Sequence, residues 1–241
     1  MTFLRSLLFN LFFFVGTFLL IVPAYVAARG DPVRAMVWAR TWARLQIAAV
    51  KVICGIRLEV AGRENLPPGP ALIASRHESA FDILAWLVLV PDACFVVKQE
   101  LTRIPLFGRM IVSSGMIVVD RDGGGAAIRT LLRGADRAKA SGRHIVIFPE
   151  GTRVDPNEHA PPQPGVAALA SRTGLPVVPV MTDSGRCWGR QAFRKRAGTI
   201  HIDIRPPLEG PFQREALLDA LHKAFGGQAC AAAGDSGPAG P

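Results

Sequence analysis

From Phe3 to Ala28 the chain reads FLRSLLFNLFFFVGTFLLIVPAYVAA, with Arg5 its only charge. As a helix this stretch is about 39 Å long at about 1.5 Å per residue, against a hydrocarbon layer of about 30 Å. Asn10, Gly16, Thr17 and Pro23 interrupt the apolar pattern, so a hairpin or half-buried anchor stands beside a simple span. A cleaved signal peptide is the rival reading, because Arg5 precedes the run and Val26-Ala27-Ala28 would pass as a cleavage site. Retention is favoured, since the run exceeds an ordinary signal core. The next segment opens on Asp31-Pro32, a helix cap followed by proline at the first helical position. On a helical wheel Trp38, Trp42, Leu45, Ala49 and Val52 share one face, with Arg40, Arg44 and Lys51 roughly opposite. That pattern predicts an amphipathic helix lying in the membrane interface. A helix packed on the body with a solvated basic face is the alternative.

From Ile56 onward, short apolar runs alternate with helical periodicity. Strands are predicted at Arg57–Ala61, Ala71–Ala74, Cys94–Val97, Met116–Val119, His144–Phe148, Val177–Met181 and Thr199–Ile204. Helices are predicted near Ser79–Val90, Thr102–Ser113, Ala126–Ala140, Gly165–Ser171 and Arg214–Phe225. Strands interleaved with helices argue an α/β fold: one layered domain, its central sheet largely parallel or mixed and flanked by helices. The expected organisation is a membrane anchor and amphipathic helix over 1–54, an α/β domain over 55–225, and a tail over 226–241. The tail, rich in small and polar residues, is predicted to be disordered.

Composition adjusts this picture. The chain has 241 residues, 28 Lys+Arg against 19 Asp+Glu, and a formal net charge of +9. Its mean hydropathy of +0.26 excludes an intrinsically disordered polymer. Residues 1–60 carry seven basic and two acidic side chains, so the excess adjoins the apolar end. An anionic membrane is therefore the expected partner, and nucleic acid is not. Four arginines follow the apolar run (Arg29, Arg34, Arg40, Arg44), which by the positive-inside rule puts the body on the cytoplasmic face of the inner membrane. Cys54, Cys94, Cys187 and Cys230 are far apart and form no C-x-x-C, which argues against a disulfide framework or a zinc site.

In an α/β sheet, function belongs at the carboxyl ends of the strands, and four of those loops are rich in reactive side chains. His77 precedes Asp82 by five residues. Neutral imidazole can take a hydroxyl proton while a carboxylate fixes its tautomer and balances the imidazolium. Five residues turn a helix by about 500°, leaving the two about 140° apart. The pair works only if His77 sits in the loop and Asp82 in the first helical turn. Ser75 and Ser79 read as caps, there is no G-x-S-x-G elbow, and no cysteine lies in these loops, so direct transfer to a bound hydroxyl is expected. Lys98, Arg121 and Arg153 lie at three further strand ends, together suiting a phosphate or carboxylate clamp. Glu150 and Gly151 form the turn before Arg153. The triplet Arg194-Lys195-Arg196 reads as a solvated turn or, with Trp188 and Phe193, as a membrane contact.

This ordered set resembles the glycerolipid acyltransferase family, in particular its bacterial 1-acyl-sn-glycerol-3-phosphate acyltransferases. His77 to Asp82 is similar to the H-x4-D motif, Gly115–Arg121 to the second motif, Phe148–Arg153 to the F-P-E-G-T-R signature and Val177–Val180 to the fourth, apolar motif. Lys98-Gln99-Glu100-Leu101 with Pro105 and Gly108 resembles the family's K-x-E-L-x3-P-x2-G pattern. Arg76 stands where asparagine often precedes the histidine, and Val119 replaces the usual phenylalanine or isoleucine. The resemblance implies that His77 deprotonates the sn-2 hydroxyl of lysophosphatidic acid, with Asp82 orienting it. The acyl donor would be an acyl carrier protein or coenzyme A thioester, with no metal and no cofactor beyond that co-substrate. Lys98, Arg121 and Arg153 would hold the phosphate, with Glu150 and Gly151 shaping its pocket. The rivals are acylation of another lysolipid, such as a lyso-ornithine lipid, and a catalytically silent lipid-binding protein.

Overall fold

The computed structural model describes residues 1–28, 30–120, 123–190, 192–208, 210 and 213–226. Helix α1 (Thr2–Ala28) is followed by α2 (Pro32–Cys54), and the two pack side by side. Asp31 caps α2 as its sequence predicts, accepting the Val33 N–H at 2.8 Å, with Pro32 in the first turn. Gly55, at φ +73°, closes the other end by donating its N–H to Lys51, a conformation that glycine adopts without strain.

Among the described residues, seven strands form one sheet: β1 (Ile56–Ala61), β2 (Leu72–Ser75), β3 (Cys94–Lys98), β4 (Ile117–Val119), β5 (Ile145–Ile147), β6 (Val177–Thr182) and β7 (Gly198–Ile204). Their spatial order is β1-β7-β6-β2-β5-β3-β4. Every pairing is parallel except β6 with β7, where Met181 opposes Asp203. The sheet is thus mixed, with a parallel block of five strands whose carboxyl ends share one edge of the molecule. All seven predicted strands form.

The central strands β2, β5 and β6 are buried throughout, which is why they read as unbroken apolar runs. Alternate residues serve two cores. Ile73, Val146 and Val178 face α1, α2 and α3 (Phe81–Leu89). Leu72, Ala74, Ile145 and Val177 face α5 (Gly124–Ala140), α6 (Gly165–Thr173) and α8 (Arg214–Gly226). Residues of α1 and α2, including Phe9, Met36, Ala43 and Val50, belong to the first core together with Ile56 and Phe81.

The structure departs from the sequence pattern in four places. The helix predicted over Thr102–Ser113 is divided by Pro105 into a 3-10 segment (Gln99–Arg103) and α4 (Phe107–Ser113). Gly108 permits that corner: a Cβ there would lie 1.9 Å from the Thr102 carbonyl oxygen. A single turn, α7 (Ser184–Cys187), follows β6 without a periodic signal. Trp42 does not face outward: its Nε1 donates to Thr17 Oγ1 at 2.9 Å and its ring lies 5.8 Å from that of Phe13, docking α2 on α1. Finally, Lys195 is not a solvated or membrane-touching residue. It is buried, with Nζ donating to Asn10 Oδ1 at 2.7 Å and to the Ala192 and Phe193 carbonyls.

Helix α1 is long and apolar enough to cross a membrane. Its polar Ser6 and Asn10 bond to the loop around Lys195, while Leu4, Leu8, Leu11, Phe14 and Phe18 are exposed on the other side. Cys54, Cys94 and Cys187 are free, buried thiols. Cys230 and the predicted tail from residue 227 onward lie outside the described residues.

Candidate active site

β2 ends at Ser75, and the chain then runs as a loop to the start of α3 at Phe81. His77 sits in that loop and Asp82 in the first turn, the one arrangement in which their spacing lets them meet. His77 Nδ1 lies 2.9 Å from Asp82 Oδ2. The same oxygen accepts the backbone N–H groups of Glu78 and Ser79, each at 2.9 Å. Both donors lie in the loop just ahead of α3, and the first-turn carboxylate, favoured at a helix amino end, reaches back to them. An ionised carboxylate only accepts, so Nδ1 carries the proton and Nε2 is the basic nitrogen.

The imidazole is also held from above. The Phe148 ring stacks on it with centroids 4.0 Å apart and planes tilted by 20°. Phe148 follows β5, the direct neighbour of β2, so the sheet itself brings the two motifs together. Val154 donates its N–H to the His77 carbonyl at 2.8 Å, and Gly151, at φ +72°, turns the chain between them.

Arg76 fixes this loop from beneath. Buried, it donates through Nη2 to the carbonyls of Asp155, Pro156 and Glu158, and through Nη1 to that of Phe225. Its Nε lies 2.9 Å from Glu78 Oε1, though without the alignment of a hydrogen bond. Glu78 Oε2 in turn accepts the Gly185 N–H at 2.9 Å. Burial pushes the Glu78 carboxyl up to about 7 against the opposing pull of that N–H and of Arg76. Glu150 is also buried, and burial raises it to about 8 despite nearby backbone N–H groups and Arg76.

The site opens into a cavity of about 530 Å³. His77, Lys98, Gly151, Arg153 and Arg190 line its polar end. Phe13, Leu20 and Ile21 of α1, Trp38 and Trp42 of α2, Leu84 and Leu87 of α3, and Met110 of α4 supply an apolar wall. Of the residues singled out in sequence, His77, Asp82, Lys98, Gly151 and Arg153 therefore converge. Lys98 is also paired with Glu100 at 2.7 Å. Glu150 lies behind the wall and is not in the lining, and Arg121 falls outside the described residues. Ser75 and Ser79 are committed elsewhere: Ser75 Oγ accepts from Trp86 Nε1, and Ser79 Oγ accepts the Phe81 N–H.

Three contributions escaped the sequence reading. Arg190 follows β6, a fifth strand ending on the same edge, and a cation two residues after Trp188 was the available signal. Arg76 carries no sequence signal beyond its departure from asparagine. The apolar wall from α1 and α2 had no signal beyond their hydrophobicity.

The acyltransferase family model matches residues 57–183. The chain is 32% identical over 214 residues to the 1-acyl-sn-glycerol-3-phosphate acyltransferase of Pseudomonas aeruginosa, covering 86% of this chain and 83% of that protein. It is 30% identical over 185 residues to the human 1-acyl-sn-glycerol-3-phosphate acyltransferase alpha, covering 74% of this chain and 65% of the human one. The crystal structure of the 1-acyl-sn-glycerophosphate (LPA) acyltransferase PlsC from Thermotoga maritima superposes with a TM-score of 0.73 over 93% of this chain and 95% of that one. At 22% identity that last likeness is one of fold.

Proposed function

The chain belongs to the acyltransferase family, and from that premise we propose that it acylates the sn-2 hydroxyl of 1-acyl-sn-glycerol-3-phosphate, making phosphatidic acid. The observation that carries this reading is the His77–Asp82 contact of 2.9 Å at the polar end of an apolar cavity that also holds Arg153. His77 Nε2 takes the hydroxyl proton, and the resulting alkoxide attacks the carbonyl carbon of a thioester. The tetrahedral intermediate collapses with loss of a thiolate, which receives the proton back from the imidazolium. Asp82 stabilises that cation without itself taking a proton. Transfer is direct, since the Ser75 and Ser79 hydroxyls that flank His77 are bound elsewhere and the described cysteines do not line the cavity. The thioester is already activated, so the step calls for no metal or cofactor.

Lys98 and Arg153 grip the acceptor phosphate, with Arg190 beside them, and Arg121 keeps the role its motif implies. Gly151 and Glu150 shape the loop that presents Arg153. The thioester is carried by an acyl carrier protein or by coenzyme A. Residues 1–54 form the membrane-facing part and 55–225 the transferase body, on the cytoplasmic face of the inner membrane. An acceptor that resides in the bilayer then reaches His77 without full extraction into water.

The test is a panel of lysolipids assayed with both thioester donors, using the parent and His77→Ala. Lysophosphatidic acid is the expected acceptor, and the variant should lose at least ~100-fold in kcat, the lower end for a general base. Acylation of an aminolipid with lysophosphatidic acid inert would refute the substrate, and equal rates for parent and variant would refute the base.

A further inference from the structure

A second cleft, of about 560 Å³, lies between the first half of α2 and the last half of α5. Its lining shares no residue with the catalytic cavity. Pro91 and Asp92, which precede β3, and Ile117, which opens β4, form part of it, so it lies at the amino ends of these strands, opposite the edge that carries His77. We propose that this cleft binds the phosphate headgroup of an anionic glycerophospholipid, with the start of its acyl chains against α2.

The charge balance points to an anion. Arg40, Arg137 and Arg143 line the cleft against the single carboxylate of Asp92. Asp92 is already engaged with His144 Nδ1 at 3.2 Å. Arg143 donates to the carbonyls of Asp92, Ala93, Ser114 and Gly115, which makes it a fixed positive floor. Arg40 and Arg137 have no carboxylate partner among the described residues. The Nε of Arg40 is buried and donates to nothing. Buried N–H groups are very largely paired in folded proteins, so this one calls for an acceptor from outside. A guanidinium presents paired donors that match two phosphate oxygens.

The opposite wall points to a lipid. Pro32, Val33, Met36 and Val37 supply it, and Val33 and Val37 are 72% and 55% exposed. Free phosphate would have no use for those side chains, whereas an acyl chain would cover them. Pro32 also places the cleft beside the connection from the apolar α1, where lipid is at hand.

The full-length protein, in a zwitterionic detergent, is titrated with diheptanoyl phosphatidylglycerol, diheptanoyl phosphatidylcholine and inorganic phosphate. Binding is followed by calorimetry and by amide exchange over residues 32–40 and 134–143. Phosphatidylglycerol should bind and protect both segments, with phosphatidylcholine and phosphate at least tenfold weaker. The pair Arg40→Gln/Arg137→Gln should weaken phosphatidylglycerol at least tenfold while leaving turnover with saturating lysophosphatidic acid unchanged. Arg137→Glu alone, on the exposed surface, should do the same if the pair proves unstable. Arg153→Ala, in the other cavity, should leave this binding and protection intact. Equal binding by the Arg137 variant and the parent would overturn the site. Equal affinity for phosphatidylcholine would overturn the anionic headgroup, and equal affinity for phosphate would overturn the lipid.

Discussion

At the residue scale, one carboxylate oxygen organises the loop that carries His77. Asp82 Oδ2 receives the imidazole and two backbone N–H groups, so His77, its loop and the helix start are fixed by the same atom. Beneath it, Arg76 faces two carboxyls that burial has raised, Glu78 to about 7 and Glu150 to about 8. Both therefore hold a proton in the folded chain at pH values where the unfolded chain, with a carboxyl value of 4.5, has released it. The folded state binds more protons at these two sites across that interval, so their contribution to stability is full below 4.5 and is lost as pH rises toward 8. Glu150→Gln, neutral at every pH and similar in shape, should remove the Glu150 share. The parent's Tm should fall more steeply than the variant's between pH 5 and 8, with Glu78 still sloping both curves. Parallel curves would mean that Glu150 titrates as an ordinary exposed acid. The dyad was legible in sequence because spacing alone demanded a loop histidine and a first-turn aspartate. The burial of Glu150 behind its own motif was not, since a motif fixes which residues lie in a loop but not which side of the wall each side chain takes.

At the scale of elements, α1 shows why a polar residue in an apolar run is ambiguous. Asn10 and Ser6 weaken the run as a span, yet each is matched to the loop after α7, more than 180 positions away. Ser6 Oγ accepts the Lys195 N–H at 2.9 Å, and Asn10 bonds both the Lys195 ammonium and the Phe193 carbonyl. The ammonium also sits 4.8 Å over the Trp188 ring, whose edge contact with Phe9 completes the dock. Strand and helix periods are local and could be read from sequence, whereas a partner at such separation leaves no local trace. The same loop carries Arg190, so α1 docking and the polar end of the cavity are mechanically joined. Lys195→Met keeps the apolar stem but leaves Asn10 Oδ1 and the Ala192 carbonyl without their donor, the Phe193 carbonyl keeping Asn10 Nδ2. Each buried group left so costs about 1–3 kcal/mol. Tm in detergent should fall by about 4 °C or more, given about 2–4 °C per kcal/mol for a chain of this size. Amide exchange should quicken in α1 and over 188–196 but not in α6. Exchange unchanged in α1 would show that the apolar contacts alone hold the helix.

For the whole molecule, two apolar surfaces of α1 must be told apart, because hydropathy treats them as one. The inner surface belongs to the first core and to the wall of the cavity beside His77, while the outer one is exposed among the described residues. Phe14 and Phe18 are 68% and 70% exposed, and Leu101 and Ile104, near the cavity's polar end, are also uncovered. Apolar area of this kind on a monomer marks a surface that another apolar phase covers. On the proposed function the acceptor is a lipid of the bilayer, and that phase is then the bilayer itself. Phe14→Glu/Phe18→Glu changes the outer surface and, of the inner one, touches only the edge contact of Phe14 with Phe13 at 5.4 Å, so the His77–Asp82 pair should be untouched. Each buried phenylalanine contributes roughly 1.5–3 kcal/mol, so vesicle partitioning should drop at least ~100-fold, a tenfold change being about 1.4 kcal/mol. Turnover of a long-chain acceptor embedded in vesicles should fall in parallel, while turnover of a short-chain, water-soluble acceptor should stay within about twofold of the parent. Both activities falling together would place these side chains in the fold of the active site, and neither falling would leave the bilayer without a role in presenting the substrate.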